Sequence, residues 1–522
     1  MTGRGLIATL LAMTAPCVAG IETPSSSDPA VWRHEAIDRA LASSEQIVDP
    51  YRRAEVETGV ARAQALIDER NAAEKTLRAA LKSAEGIVEP TFQGWVLNEI
   101  VLAQIAMGDL VGARATAGEI RSERPQGAAL LAIAMTQLRS DNLEGAMKTA
   151  MRIADDDAAD QVWRQIVAMQ VSRGDLKASR ETLRRIDDDF YGAQAAGDIA
   201  VADVRAGELV RAKSMASGIR KAHRSQISER IAIAQFDLGD KAGALVTASA
   251  IDSPIDRALV QARIATRMAA GGDVEGANRL FASATSVMST AKDRDMRRAM
   301  SWSHLARLKF AANDVTGAKE ALASALSAAA DMPAGPRRDD AHDAVARSYV
   351  RIGLSGDALE VASRIDDRVT QALLIRDVVA SQAGSGGANA LLQHPSAKGN
   401  SLTQTAALFG VIGVQLLRKD EVRTQPQIVG ANIGTAKVSV RAIPDNQIRP
   451  AAFAALAAAQ ATIGDTTGGH ETFQEALHAA QSLGSAEQRA TAYVRIVNAL
   501  DERLLFLGQP APADVAGASN DS

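Results

Sequence analysis

The chain is poor in the residues that usually announce chemistry. A single cysteine, Cys17, stands among 522 residues. It lies within the first twenty, so a chain trimmed there has no disulfide, no thiol nucleophile and no thiolate metal site. Aromatic residues make up only 3%, too few for the stacking platforms of single-strand readers. A formal net charge of −4 supplies no general field for polyanions, and together these argue against a nucleic-acid partner. The apolar stretch Leu6–Ala15 is too short to span a bilayer, and no later segment qualifies, so no membrane span is expected. The seven histidines are scattered, without the spacing of a zinc site. There is no nucleophile elbow, no phosphate-binding glycine loop with its lysine and no dinucleotide fingerprint. "GSGG" at 384–387 follows no strand. No catalytic residue, cofactor or metal site is therefore expected, and the chain reads as a non-enzyme.

What is present begins with a leader. "MTGR" supplies a basic start, Leu6–Ala15 an apolar stretch and "CVAG" small residues suited to cleavage, the pattern of a signal peptide over residues 1–20. Export to the periplasm or the medium is the expectation. A lipoprotein reading of Cys17 is less favoured, because "TAP" places proline where a small residue is expected. Residues 21–32 read as a polar linker, 33–508 as one helical-repeat array and 509–522 as a disordered tail.

Internal repeats decide the fold. Anchored on Gly239, equivalent turn positions fall at Asp68, Gly108, Asp141, Gly174, Gly207, Gly272, Asn313, Gly353, Gly386, Lys419 and Gly464. Eight of the twelve are glycine and one is asparagine, residues that tolerate the left-handed conformation ending a helix. The next residue is Asp, Glu or Asn in ten units; Asp and Asn can cap a following helix, and any carboxylate suits its positive end. Each turn is thus a helix stop followed by a helix start. Before it, Ile227, Ile231, Ala234 and Leu238 mark one helix face; after it, Ala244, Ala248 and Ile251 mark another. An alanine five residues past the anchor, as at Ala73, Ala113, Ala244 and Ala318, lets paired helices approach closely. Gln recurs four residues before the anchor, from Gln64 to Gln460, and reads as a ladder of hydrogen bonds between repeats. The aspartate runs at 155–157 and 187–189 invite a calcium reading. They lack the spacing of a calcium loop and read more simply as helix caps.

With Gly239, Ala244 and Pro254 in register, the pattern resembles the tetratricopeptide repeat in a degenerate, alanine-rich form, although Gln235 stands where that family carries an aromatic. The resemblance covers about residues 50–480. It implies an all-α, right-handed superhelix of about twelve helical hairpins, with the first helices lining a concave face that takes a protein or peptide.

Spacing adds a rule of its own. Twelve residues past the anchor, units followed by a spacing of 32 or 33 mostly carry Ile: Ile120, Ile153, Ile186, Ile219, Ile251 and Ile365. Units followed by a longer spacing carry Ala: Ala80, Ala284, Ala325 and Ala431. Ile is read as a plug at the helix end and Ala as mid-helix, so the Asp68, Gly272, Asn313 and Lys419 hairpins should be longer by about a turn. Two adjacent long units, Gly272 and Asn313, would divide the array midway. The Gly386 unit breaks the rule and reads as a loop or hinge. A polar helix between Gly484 and Leu507, carrying Arg489 and Arg495, should cap the final repeat.

Inward positions on the first helices hold Arg62, Arg139, Arg164, Arg205, Arg307, Arg347, Arg351 and Arg376. Six of them, Arg139, Arg164, Arg205, Arg307, Arg347 and Arg351, form the candidate partner-binding set, suited to an acidic peptide or terminal carboxylate. The simpler alternative pairs these arginines with acids across repeats. The function expected is a non-enzymatic scaffold of the cell envelope holding a protein or peptide partner. The alternative is the superhelical part of an envelope enzyme or assembly factor whose catalytic partner is another chain.

Overall fold

The computed structural model describes residues 28–290, 296–383, 387–417, 426–443 and 447–500. The expected leader with Cys17, the tail, and the anchors Gly386 and Lys419 lie outside the described residues. Among the described residues there are 26 helices and no strand. Twenty-four of them flank the anchors two by two, and in ten of these units the two helices pack together as a hairpin. The chain is a tetratricopeptide-like array of helical hairpins.

The turn chemistry follows the sequence. All ten described anchors have positive φ, from 58° at Asp141 to 89° at Gly464. The N–H that follows each anchor reaches back to a carbonyl on the first helix, as Asp240 to Gln235 O at 2.9 Å, which closes the helix in a Schellman turn. The same Asp240 then accepts from Gly243 N at 2.8 Å. Asn142, Asp175, Asp273, Asp314 and Asp465 cap their helices in the same way. Glu69 and Glu208 make no side-chain cap; their extra methylene leaves only the charge to favour the helix start. At the turns between hairpins Asp155 caps Ala158 and Asp188 caps Tyr191. The aspartate runs serve the backbone as read.

Close packing also follows. The alanines five residues past the anchor are fully buried from Ala73 to Ala358. The glutamines behave differently from the expected ladder. Gln64 accepts from Thr76 at 2.7 Å, and Gln235 from Thr247 and Gln460 from Thr472 at 2.6 Å. These bonds lie inside one hairpin, because Gln four before the turn and Thr eight after it face each other across the helix pair. Bonds between hairpins come from another position. Fifteen residues before the anchor, Arg53, Arg224, Arg257 and Arg449 donate to the carbonyls of Ile47, Ile219, Ile251 and Ile443 at 2.8–2.9 Å. Each ties a first helix to the segment that closes the preceding helix.

Hairpin length obeys the Ile/Ala rule, with a larger step than expected. First helices run 14–17 residues throughout. Second helices of Ile units span 8–10 residues, such as Leu143–Ala150 and Lys241–Ser249. Those of Ala units span 16 or 17: Arg70–Glu85, Val274–Thr290, Val315–Ala330 and Pro426–Arg441. The gain is about two turns rather than one, and it falls wholly on the second helix. Ala284 and Ala325 are fully buried mid-helix, while Ile251, buried, sits two residues beyond Ser249. The rule extends to the last hairpin, where buried Ala476 lies inside Thr466–Gln481. In the Gly386 unit the second helix shrinks to the five residues Ala388–Leu392.

Two compact units divide the chain at different places from the midpoint expected at Gly272 and Asn313, which lie inside one of them. One unit is Leu110–Thr370; the other combines Met1–Asp109 with Gln371–Ser522. In this second unit the first and last described helices meet. The first described helix, Pro29–Ser44, takes up the last four residues of the expected linker, and Trp32 in it is 1% exposed. Trp32 stacks on Phe473, with ring centroids 5.3 Å apart and an interplanar angle of 11°. Arg33 donates to Leu500 O at 2.7 Å. Pro29–Ser44 packs along Ala486–Ala499 as the two helices of a hairpin do, and Ala486–Ala499 packs in turn on Pro50–Leu66. The helix Ala486–Ala499 covers the last hairpin as expected, but Pro29–Ser44 covers it in turn, so it is not a polar face turned to water. Arg489, 8% exposed, spends its guanidinium on Leu483 O, Gly484 O and Gln46 Oε1. Burial lowers the Arg495 pKa to about 10. The first and last described helices thus supply one further helix pair, joined by packing and hydrogen bonds rather than by a connecting turn.

Candidate functional site

In the unit Leu110–Thr370 the first helices before the anchors Gly174 to Asn313 carry a row of polar, mostly charged residues nine or ten positions before the turn. The row begins with Arg164 on Asp156–Ser172, Asp198 on Asp189–Arg205 and Arg230 on Lys221–Asp237. Asp198 bridges the two arginines, 3.4 Å from Arg164 Nη2 and 2.5 Å from Arg230 Nη2. Arg230 also donates to Gln194 O at 3.1 Å. Its path crosses Gly197, where a Cβ would lie 2.6 Å from Arg230 Nη1; the missing side chain is what lets the guanidinium reach across.

The row continues with Glu229, Arg263 and His304. Arg263 Nε stands 3.0 Å from Glu229 Oε1, and Arg263 Nη2 lies 3.3 Å from His304 Nε2. Burial pushes the His304 pKa down to about 3, and the charges of Arg263 and Arg307 push it the same way. The ring is neutral at ordinary pH, which leaves Nε2 free to accept from Arg263 when the proton sits on Nδ1. Burial raises the Glu229 pKa against the pull of Arg263. Beside the row, Arg267 pairs with Asp237 and Arg297 with Asp256, each at 2.7 Å. Five consecutive first helices are thus laced by ion pairs between hairpins.

Of the six arginines expected to bind a partner, the structure brings two together. Arg164 and the exposed Arg205 line one open groove of about 760 Å³ with Asp198 and Arg230. Arg307 stands beside His304. Arg347 pairs with Asp343 in its own helix at 2.8 Å, and Arg139 and Arg351 are exposed at first-helix ends. Of the other two, Arg62 pairs with Glu99 at 2.7 Å and Arg376 with its neighbour Asp377 at 2.8 Å. Pairing between hairpins thus occupies part of the set. Sequence reading missed Asp198, Arg230 and Gly197. The signal was there: Asp198, Arg230, Arg263 and His304 all stand nine residues before their anchors. Among the described residues, no three His, Cys, Asp or Glu side chains are grouped to hold a metal ion, and no helix is long and apolar enough to cross a membrane.

No family model and no curated protein matches the chain. Solved structures with helical repeats match at low similarity. Ton1535 from Thermococcus onnurineus is 14% identical, with 66% of this chain and 96% of that one covered and a TM-score of 0.24. The human IFIT1 dimer with m7Gppp-AAAA is 12% identical over 87% of this chain and 96% of its own, TM-score 0.26. The Cut9–Hcn1 hetero-tetramer of the APC/C is 13% identical over 80% and 85%, TM-score 0.21. At such scores the fold assignment rests on the turns and helix pairs of the chain itself.

Proposed function

We propose that the chain is a non-enzymatic scaffold that is exported to the cell envelope and holds a protein or extended peptide along the first-helix face of Leu110–Thr370. The observation that carries this reading is the groove of Arg164, Asp198, Arg205 and Arg230. Three guanidinium groups there face one carboxylate, and Arg205 is exposed. Such a surface suits an acidic segment, because guanidinium forks bind carboxylates in two-point fashion. A scaffold role is further supported by the hairpins, which account for the described chain from Pro50 to Gln481, with the joined end helices accounting for the rest. Location in the envelope rests on the leader-like residues 1–20 alone.

The test places a photo-crosslinker at Arg205 and, separately, at Glu181 on a second helix, in cells expressing the full chain. Adducts concentrated at position 205, and lost when Arg164 and Arg230 are both replaced by Gln, are expected. Equal adducts at the two positions would contradict the assignment of the surface. Recovery of the chain from the cytoplasm with Met1 intact would overturn the location without touching the groove.

A further inference from the structure

Six units carry Gln four residues before the turn and Thr eight residues after it, and in four of them the two side chains are hydrogen-bonded: Gln64 with Thr76, Gln137 with Thr149, Gln235 with Thr247 and Gln460 with Thr472. Where Gln is lost, Thr is lost with it. Two replacements are apolar on both sides, Met268 with Leu280 and Tyr349 with Val361, and Asp203 with Met215 turns instead to Arg180 of the preceding hairpin. The Asn313 hairpin differs from all of these. It sets Lys309 against Ala321, a long cation against the smallest side chain in the series.

A cavity of about 360 Å³ opens at that place, lined by Lys309, Ala321 and Trp302 and by the hydroxyls of Thr285, Ser289 and Ser324. Lys309 is 7% exposed. Its Nζ makes a loose ion pair with the Asp314 carboxylate at 3.7 Å, too far for a hydrogen bond. The buried Trp302 indole N–H has no acceptor among the described residues. Buried lysines without a hydrogen-bonded acceptor are rare, because a desolvated ammonium held only by a loose ion pair is costly. The array has a cheaper solution in four hairpins, and this hairpin does not use it. A local departure of this kind is where function is expected.

The surrounding hydroxyls have the opposite polarity. Thr285, Ser289 and Ser324 donate to Phe281 O, Ser286 O and Glu320 O at 2.8, 2.8 and 3.1 Å. Their protons are spent, so they offer lone pairs to the cavity. Glu320 and Asp331 add exposed acceptors at its rim. A fitting ligand must bring an anionic acceptor for Lys309 and several hydroxyl donors for the wall and rim. We infer that this cavity is a binding site for a small polyhydroxylated carboxylate, a sugar acid, held by Lys309 and the Trp302 indole N–H against the hydroxyl wall.

The test titrates D-glucuronate into the full chain and follows the Trp302 indole N–H resonance, assigned through W302F, with D-glucose and acetate as comparison probes. Glucuronate should shift that resonance saturably, and each comparison probe should bind at least about tenfold more weakly, since each lacks one half of the complementarity. The double variant K309Q/A321T rebuilds the Gln–Thr pair of the other hairpins. It should keep or raise the melting temperature and lose at least about tenfold in glucuronate affinity. A321T alone, which fills the cavity while keeping Lys309, should lose binding as well. Unchanged glucuronate binding in the folded double variant, acetate binding as tightly as glucuronate, or no shift in the wild type would each overturn the inference.

Discussion

The Gly239 and Asn313 hairpins start from first helices of nearly equal length, Lys221–Asp237 and Met296–Ala311, yet their second helices run nine and sixteen residues. The turns are alike: both anchors have positive φ, and Asp240 and Asp314 cap at 2.8 Å. The difference lies twelve residues on, where one hairpin has Ile251 and the other Ala325. A branched side chain just past the helix end fills the gap beneath the next hairpin, and its carbonyl is taken by Arg257. Alanine at the same place lets two helices stay in contact, so the second helix continues for about two more turns. One position therefore decides whether a hairpin is closed or extended, and the extended pair Gly272–Asn313 is where the sugar-acid cavity opens.

The comparison breaks most severely at the plug. Ile251→Ala should cost about 2–5 kcal/mol, because it removes a buried branched side chain that the short helix cannot collapse to replace. Chemical denaturation would show it, with loss of protection concentrated around residues 241–264, since repeats couple mainly to neighbours. On the long side, Ala284→Leu should cost about 1–3 kcal/mol by overpacking a fully buried contact. The same substitution at the exposed Ala242 of the short hairpin should be nearly silent.

A smaller effect separates the two hairpins by pH. Position nine before the anchor is Arg230 in the short hairpin and His304 in the long one. The His304 pKa is about 3 in the folded chain against an ordinary 6.5. The unfolded chain binds the extra proton first, so this contribution is present above pH 6.5 and is lost as pH falls toward 3. The loss should reach about 1 kcal/mol by pH 5.5. Replacing His304 with Asn should flatten that part of the stability–pH curve, whereas Arg230→Gln should leave its slope unchanged.

Much of this was legible in the residues and some was not. Turns could be read because glycine, aspartate and asparagine act through local backbone geometry, and hairpin length because Ile and Ala at one position alternate with spacing. The Gln–Thr pairs were visible as a pattern, but their direction, within a hairpin rather than between hairpins, depends on which faces meet. Asp198 and Arg230 escaped because their role appears only when neighbouring helices align. The pairing of Pro29–Ser44 with Ala486–Ala499 was hidden for a different reason. Arg489 and Arg495 suggest a solvated face, and nothing local links Trp32 to Phe473 across the length of the chain.

Native-state amide hydrogen exchange tests the central claim, that the twelfth residue past each turn sets where the second helix ends. Amides at 285–290 and 326–330 should be protected to the same degree as those earlier in their helices, while amides at 154 and 253, just past the plugs Ile153 and Ile251, should exchange as loops do. Equal protection past the twelfth position in Ile and Ala hairpins would contradict the account.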